Sequence, residues 1–317
     1  MAQLRVLIAA VVLVLLSATT ALAQDYTISV SQIVEHPALD ATRQGFMDYL
    51  KEQGLEVEYN VHIAQGNIAT ANQIANQIMD EGPDLVLAIA TPTAQACAQR
   101  IRNIPVLAAA VTDFVGAGLV KSMEEPGANV TGLTDMTPMD QHMELMLEFV
   151  PDAKAVGVIY NAGEDNSVSL VKYLREEAKK KGVKLEEATI QNSSGVLQAA
   201  RSLVGKVQAI YIPTDNTVVT ALESAMKVAH ENAIPLFSGD TDSVERGTLA
   251  SLGFDYYNMG RQTGAMAYRI LKEEANPGEM PVETLQELSL WVNLDAAEKM
   301  GVTIPESVLE RADTVLE

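Results

Sequence analysis

Apolar positions in this chain follow two alternating patterns. β-branched apolar runs give way to amphipathic stretches of about 12 to 17 residues, and the cycle repeats, as expected for βαβ units around parallel sheets. Residues 27–34 read as a strand; Leu39, Phe46, Met47 and Leu50 then recur at helical spacing until Gly54. Leu55, Val57, Tyr59 and Val61 alternate as a strand, and Ile68, Ala71, Ile74, Ala75, Ile78 and Met79 mark a helix that Gly82-Pro83 breaks. Residues 85–90 are uniformly apolar, the mark of a strand covered on both faces. A helix over 94–102 and a strand over 105–111 complete the series.

The alternation restarts near Asn129 to Asp135. Helices are expected over 139–149, 168–181, 196–204 and 217–232, and strands over 156–160, 185–190, 209–212 and 235–237. A further apolar strand near Leu249 runs toward a helix over 259–272, and the tail from Leu288 holds one more strand and short helices. The fold class is therefore α/β, two Rossmann-like lobes with parallel sheets joined by hinge crossings. The N-terminal lobe is expected to comprise 24–133 plus about 256–284, and the C-terminal lobe 134–255 plus about 285–317. No Pro/Gly/Ser-rich tether separates them, so they should move as a hinge.

Residues 1–23 carry one cation, Arg5, an apolar run over 6–16 and the small-residue ending Ala21-Leu22-Ala23. That is the pattern of a cleavable export signal, too short to span a bilayer. The single cysteine, Cys97, stands far from the cleavage point, so a lipid anchor there is not expected, nor is an internal disulfide. The expected location is the periplasm. Formal charge of −20 argues against a nucleic-acid partner, and 48% hydrophobic residues suffice for substantial cores.

In open parallel sheets ligands bind beyond the carboxyl ends of strands. The loops there are polar: Glu35-His36-Pro37, Thr91-Pro92-Thr93, Thr112-Asp113-Phe114, then Asn166-Ser167, Thr214-Asp215-Asn216 and Asp240. The Thr91 to Thr93 helix start offers hydroxyls and free N–H groups to a carboxylate, and Asp215 or Asp240 offers charge to an ammonium, so a zwitterion fits. Each of these residues taken singly also fits an ordinary helix cap. Phe114, Tyr160, Phe237, Tyr256 and Tyr257 stand in or beside these loops, where a flat ligand could stack. Glu35 and His36 form an acid–base pair only on paper, since capping explains them as well. The scattered histidines lack metal-site spacing, and no G-x-S-x-G elbow, Walker loop or G-x-G-x-x-G fingerprint occurs. No cofactor, metal or catalytic residue is expected.

The same residues resemble a known family. The segments 31–40 with Arg43-Gln44-Gly45-Phe46, 90–96, 111–113, 129–132, 211–216, and Gly239-Asp240 with Gly247 are similar to the ABC-type substrate-binding proteins that include tryptophan- and tyrosine-binding lipoproteins. The resemblance implies a type I periplasmic-binding-protein fold, a monomer closing on one small ligand, and delivery to an ABC permease with its ATPase. An aromatic amino acid is the first choice of solute. A periplasmic sensor module for a membrane receptor is the alternative the fold equally allows, and a periplasmic enzyme a more distant one.

Overall fold

The computed structural model describes residues 26–317, and the segment read as an export signal lies outside them. Strands β1 (Tyr26–Gln32), β2 (Val57–Ile63), β3 (Leu85–Ile89), β4 (Val106–Val111) and β5 (Val130–Thr134) join the late strand β11 (Glu283–Thr284) in one parallel sheet. Its order is β11-β5-β4-β3-β1-β2. Every residue of β3, β4 and β5 is buried, which is why these runs show no alternation in the sequence.

Helices α1 (Pro37–Glu52), α2 (Ile68–Glu81) and α3 (Thr91–Arg100) connect these strands. Pro37 opens α1, where a missing N–H costs nothing, and the Asn67 side chain caps α2 by accepting from the Thr70 N–H at 3.1 Å. Helix α10 (Tyr256–Leu271) returns to pack on α1 with almost no gap between backbones. A methyl group on Gly45 would stand 2.1 Å from the Tyr257 carbonyl oxygen, and one on Gly260 2.0 Å from that of Thr42. This close crossing fixes the head of α10, and with it Tyr256.

The second half repeats the design. It runs through α4 (Met139–Phe149), β6 (Ala155–Asn161), α5 (Asp165–Lys181), β7 (Lys184–Ile190), α6 (Val196–Leu203) and β8 (Ala209–Ile212). Then follow α7 (Asn216–Thr220), α8 (Leu222–Glu231), β9 (Leu236–Ser238), α9 (Asp242–Arg246) and β10 (Ala250–Gly253). Its parallel sheet has the order β7-β6-β8-β9. Beside it lies a small sheet of β10, β12 (Ser289–Asn293) and β13 (Thr314–Leu316), tied to β9 by the Leu249 N–H donating to the Leu236 carbonyl at 2.7 Å. Helices α11 (Leu294–Met300) and α12 (Glu306–Leu309) close the chain around it. The single helix expected over 217–232 is two helices, because Ala221 leaves helical geometry at φ −120°, ψ 30°.

Two separate hydrophobic cores result. One gathers residues from Ile28 to Leu133 and again from Phe254 to Val282; the other gathers Met139 to Ala250 and again Leu290 to Val308. The chain thus passes between the cores at 134–138, 251–253 and 283–289. Among the described residues no helix is long and apolar enough to cross a membrane.

Candidate binding cleft

The carboxyl ends of β1, β4 and β5 from one lobe and of β6, β8 and β9 from the other meet at a small cavity between the lobes. Its polar wall includes His36, Thr112, Asn166, Thr214, Asp215, Asn216 and Asp240, all singled out from the sequence. Asp135 and Tyr256 belong to the wall as well, and Ala38, Leu39, Ala110 and Val219 supply its apolar part.

Three carboxylates reach this wall and no lysine or arginine does. Asp215 is fully buried; its Oδ2 accepts from the Asn161 N–H and the Ser167 hydroxyl, both at 2.6 Å, and its Oδ1 caps α7 through the Val218 N–H at 2.8 Å. Burial, reinforced by the neighbouring Glu164 carboxylate, pushes its pKa up to about 7 against these donors. Glu164 shares the same helix end, accepting from the backbone and side chains of Asn216 and Thr217. Asp240 caps α9 by accepting from the Ser243 N–H at 2.7 Å and hydroxyl at 2.8 Å. Asp135 accepts from the Thr112 hydroxyl and the Tyr256 hydroxyl, each at 2.9 Å. Burial raises the pKa of both carboxyls.

Not every buried polar atom here has a partner. His36 Nδ1, Asn166 Oδ1 and Thr214 Oγ1 are sealed from solvent and accept or donate no hydrogen bond. Burial first, and the Arg246 charge second, lower the His36 pKa to about 4, so the imidazole is neutral near pH 7. An unpaired buried polar atom costs about 1 to 3 kcal/mol, which a ligand atom placed at these positions would recover.

Six residues expected at the site lie elsewhere. Glu35 is exposed beyond the cleft, and Phe114 is fully buried in the core of the first lobe. Thr91 and Thr93 are buried inside the head of α3, and the Thr93 hydroxyl is spent on the carbonyls of Ile89 at 2.6 Å and Ala90 at 3.0 Å. Ser167 sits behind Asp215 rather than at the wall. Asp113 reaches the opposite lobe, its Oδ2 accepting from the Ser169 hydroxyl at 3.0 Å. Of the aromatic residues proposed for stacking only Tyr256 reaches the wall; the Tyr160 hydroxyl donates to Glu187, Tyr257 to Asp48, and Phe237 packs edge-on against Phe149.

Asp135 and Ala110 escape a reading of strand-end loops. Asp135 stands beside a crossing, where no turn signal marks it. Ala110 interrupts β4 with φ 53°, shifting the register against β5 between Ala109 and Val111. Beside it Ala90, at the end of β3, adopts φ 80° and ψ 156°, a backbone conformation otherwise reserved for glycine. Strain at two adjacent strand ends marks a place where backbone position outweighs comfort.

A cavity walled by two cores, reached by three crossings and holding unpaired polar atoms defines a two-lobed solute-binding protein of the type I periplasmic fold. The chain belongs to the ABC transporter substrate binding protein family, which it matches over residues 27–316. It is 41% identical over 279 residues to the tyrosine-binding protein of Clostridioides difficile (strain R20291), covering 87% of this chain and 81% of that one. The solved structure of the ABC domain in complex with L-Trp from Streptococcus pneumonia is 34% identical, with a TM-score of 0.88 over 92% of this chain and 99% of that one. A ligand-free, open substrate-binding protein with adhesive properties from Clostridium difficile is more alike in sequence, 40% over the same shares, yet superposes at a TM-score of only 0.69. Glucose-galactose and 5-methylthioribose binding proteins, 14% and 16% identical, share the fold alone. In this structure hydrogen bonds from Gln95 to Asp165 and from Ser169 to Asp113 join the two lobes across the cleft, as expected of a closed arrangement.

Proposed function

We propose that this family member captures an aromatic amino acid as its zwitterion outside the cytoplasmic membrane and hands it to an ABC permease driven by its ATPase. The export signal read over residues 1–23 accounts for the location, and the periplasm is the compartment it implies. The receptor acts as a monomer. The observation that carries the choice of solute is the cavity wall, lined by Asp135, Asp215 and Asp240 and by no lysine or arginine. A ligand ammonium supplies the opposing charge.

The unpaired atoms then divide by chemistry. Asn166 Oδ1 accepts from the ammonium, while the Thr214 hydroxyl and the neutral His36 ring donate to the carboxylate. The Thr91 to Thr93 helix start is no longer required for that contact, since its threonines stand back from the wall. The ring of the solute lies against Leu39, Val219 and Tyr256. Names of the relatives point the same way, toward tyrosine and L-Trp. Residues of both lobes share the wall, so ligand contact favours the closed state.

Thermal shift and calorimetry on protein refolded free of solute test this reading. Clear stabilisation by Trp, Tyr or Phe, absent with alanine, leucine or hexoses, is the expected result. Response to a hexose with none to any amino acid overturns it.

A further inference from the structure

Four polar residues outside the cavity wall join the lobes along one lip of the cleft. On the first lobe stand Gln95, on α3, and Asp113, in the loop after β4; on the second stand Asp165 and Ser169, one turn apart on the same face of α5. Gln95 Nε2 donates to Asp165 Oδ2 at 2.7 Å, and the Ser169 hydroxyl donates to Asp113 Oδ2 at 3.0 Å. Both lobe-one residues are themselves held. Gln95 Nε2 also donates to the Ala117 carbonyl at 3.1 Å, and Asp113 Oδ1 accepts from the Gly116 N–H at 2.7 Å.

Neighbouring residues of the same elements belong to the opposite cores: Ala94 and Phe114 to one, Leu170 and Val171 to the other. These two bonds therefore exist only while the lobes are shut. None of the four residues lines the cavity, so whatever they do for affinity passes through lobe position rather than ligand contact.

We infer that Gln95–Asp165 and Asp113–Ser169 form a latch that sets the population of the closed state, and so tunes affinity and ligand release independently of solute identity. A receptor whose competent state is fractionally populated binds with its intrinsic affinity reduced by that fraction. Breaking the latch lowers the closed fraction for every ligand alike. Asp165 is exposed and Gln95, Asp113 and Ser169 are half-buried, so water reaches the lip and keeps each bond weak enough to open, as a carrier that must surrender its cargo requires.

Gly116 allows the latch to be disturbed without replacing any of its four residues. A methyl group there would stand 2.2 Å from Asp113 Oδ2, and since Gly116 has an ordinary φ the flexible carboxylate is what moves. The amino-acid part of the test rests on the function proposed above; the lobe-distance part does not. Wild type, Gly116→Ala and the double variant Gln95→Ala/Ser169→Ala are titrated with L-Trp and L-Tyr by calorimetry and stopped flow. Affinity weaker by about tenfold in the double variant, carried by faster release, with an unaltered Trp-to-Tyr ratio and an unaltered melting temperature of the ligand-free protein, is expected. Affinities within twofold of wild type overturn the latch.

Spin labels at Met79→Cys and Lys206→Cys, exposed positions on opposite lobes, measure lobe separation without any ligand. A longer mean separation in the latch variants than in wild type is expected. If no amino acid binds wild type, the solute assignment fails while this distance still decides the latch: equal separations sink it.

Discussion

The Tyr256 hydroxyl donates to Asp135 Oδ2 at 2.9 Å, joining residues 121 positions apart that stand beside two different crossings. The bond ties the first crossing, after β5, to the head of α10, and it does so at the cavity wall. Both partners are buried, and burial raises the Asp135 pKa while the hydrogen bonds from the Thr112 and Tyr256 hydroxyls hold it down. Removing one donor raises it further. Tyr256→Phe is therefore expected to lower stability by about 1 to 3 kcal/mol in chemical denaturation and to weaken amino-acid binding by about tenfold in calorimetry. Asp135→Asn should weaken binding at least as much, because the amide keeps one oxygen where the carboxyl has two and leaves one of the two hydroxyls without its acceptor.

Asp215 makes a second prediction, in pH. Its folded pKa of about 7 lies above the unfolded value near 4, so between these limits the folded state holds more protons than the unfolded one. Stability then falls as pH rises from about 4 to about 7 and levels beyond. Asp242, also pushed up to about 7 by burial and by Asp240, adds a slope of the same sign. Asp215→Asn is expected to flatten the curve of melting temperature against pH in this window without abolishing it. Binding runs the opposite way, since the ionised carboxyl attracts the ammonium: affinity should rise from pH 5.5 to 8 in wild type, and less so in the variant. An affinity independent of pH in wild type would remove Asp215 from the ammonium site.

His36 behaves differently. With its pKa lowered to about 4 the ring is neutral across pH 5.5 to 8, so it adds no titration of its own to the binding curve. Its unpaired Nδ1 nevertheless gains a partner from the ligand. His36→Ala is expected to weaken binding by about tenfold, by the same factor at pH 6 and pH 8, and to leave the melting temperature of the ligand-free protein within about 2 °C.

Strands and helices were legible because burial writes itself as periodicity: β3 is apolar at every position and α4 begins and ends where its pattern does. Strand-end loops were legible for the same reason, since an apolar run followed by Thr-Asp-Asn marks a carboxyl end. What the pattern did not carry was the fate of each polar side chain. Thr93 and Asp113 read as ligand contacts, yet the Thr93 hydroxyl turned back onto the end of β3 ahead of its helix and the Asp113 carboxylate crossed the cleft. Asp135 faces the cavity only because the chain crosses between lobes beside it, a tertiary fact with no local signature; Tyr256 was legible as an aromatic beside the cleft, but not as the partner of Asp135. Ala221 ends α7 within an unbroken helical period, so its break is equally invisible in one dimension.

The packing of α1 on α10 gives the last prediction. At Gly45 and Gly260 the two helices approach so closely that a methyl group would meet carbonyl oxygens at 2.1 and 2.0 Å, backbone atoms that cannot swing aside. The only accommodation is to part the helices, which opens the interface around the buried Phe46 and Met259. Each of Gly45→Ala and Gly260→Ala is thus expected to cost about 2 to 3 kcal/mol or more in denaturant unfolding, although alanine has the better helix propensity. Because α10 begins at Tyr256, the same shift displaces the Tyr256 hydroxyl from Asp135, and amino-acid affinity should fall along with stability. Gly264, whose nearest obstacles are the Tyr49 Cβ at 2.8 Å and the Phe46 carbonyl oxygen at 3.1 Å, should cost less on substitution by alanine, since the overlap to be relieved is much shallower there. Equal losses at Gly260 and Gly264 would mean that the helices part freely and that the close crossing does not fix the cavity wall.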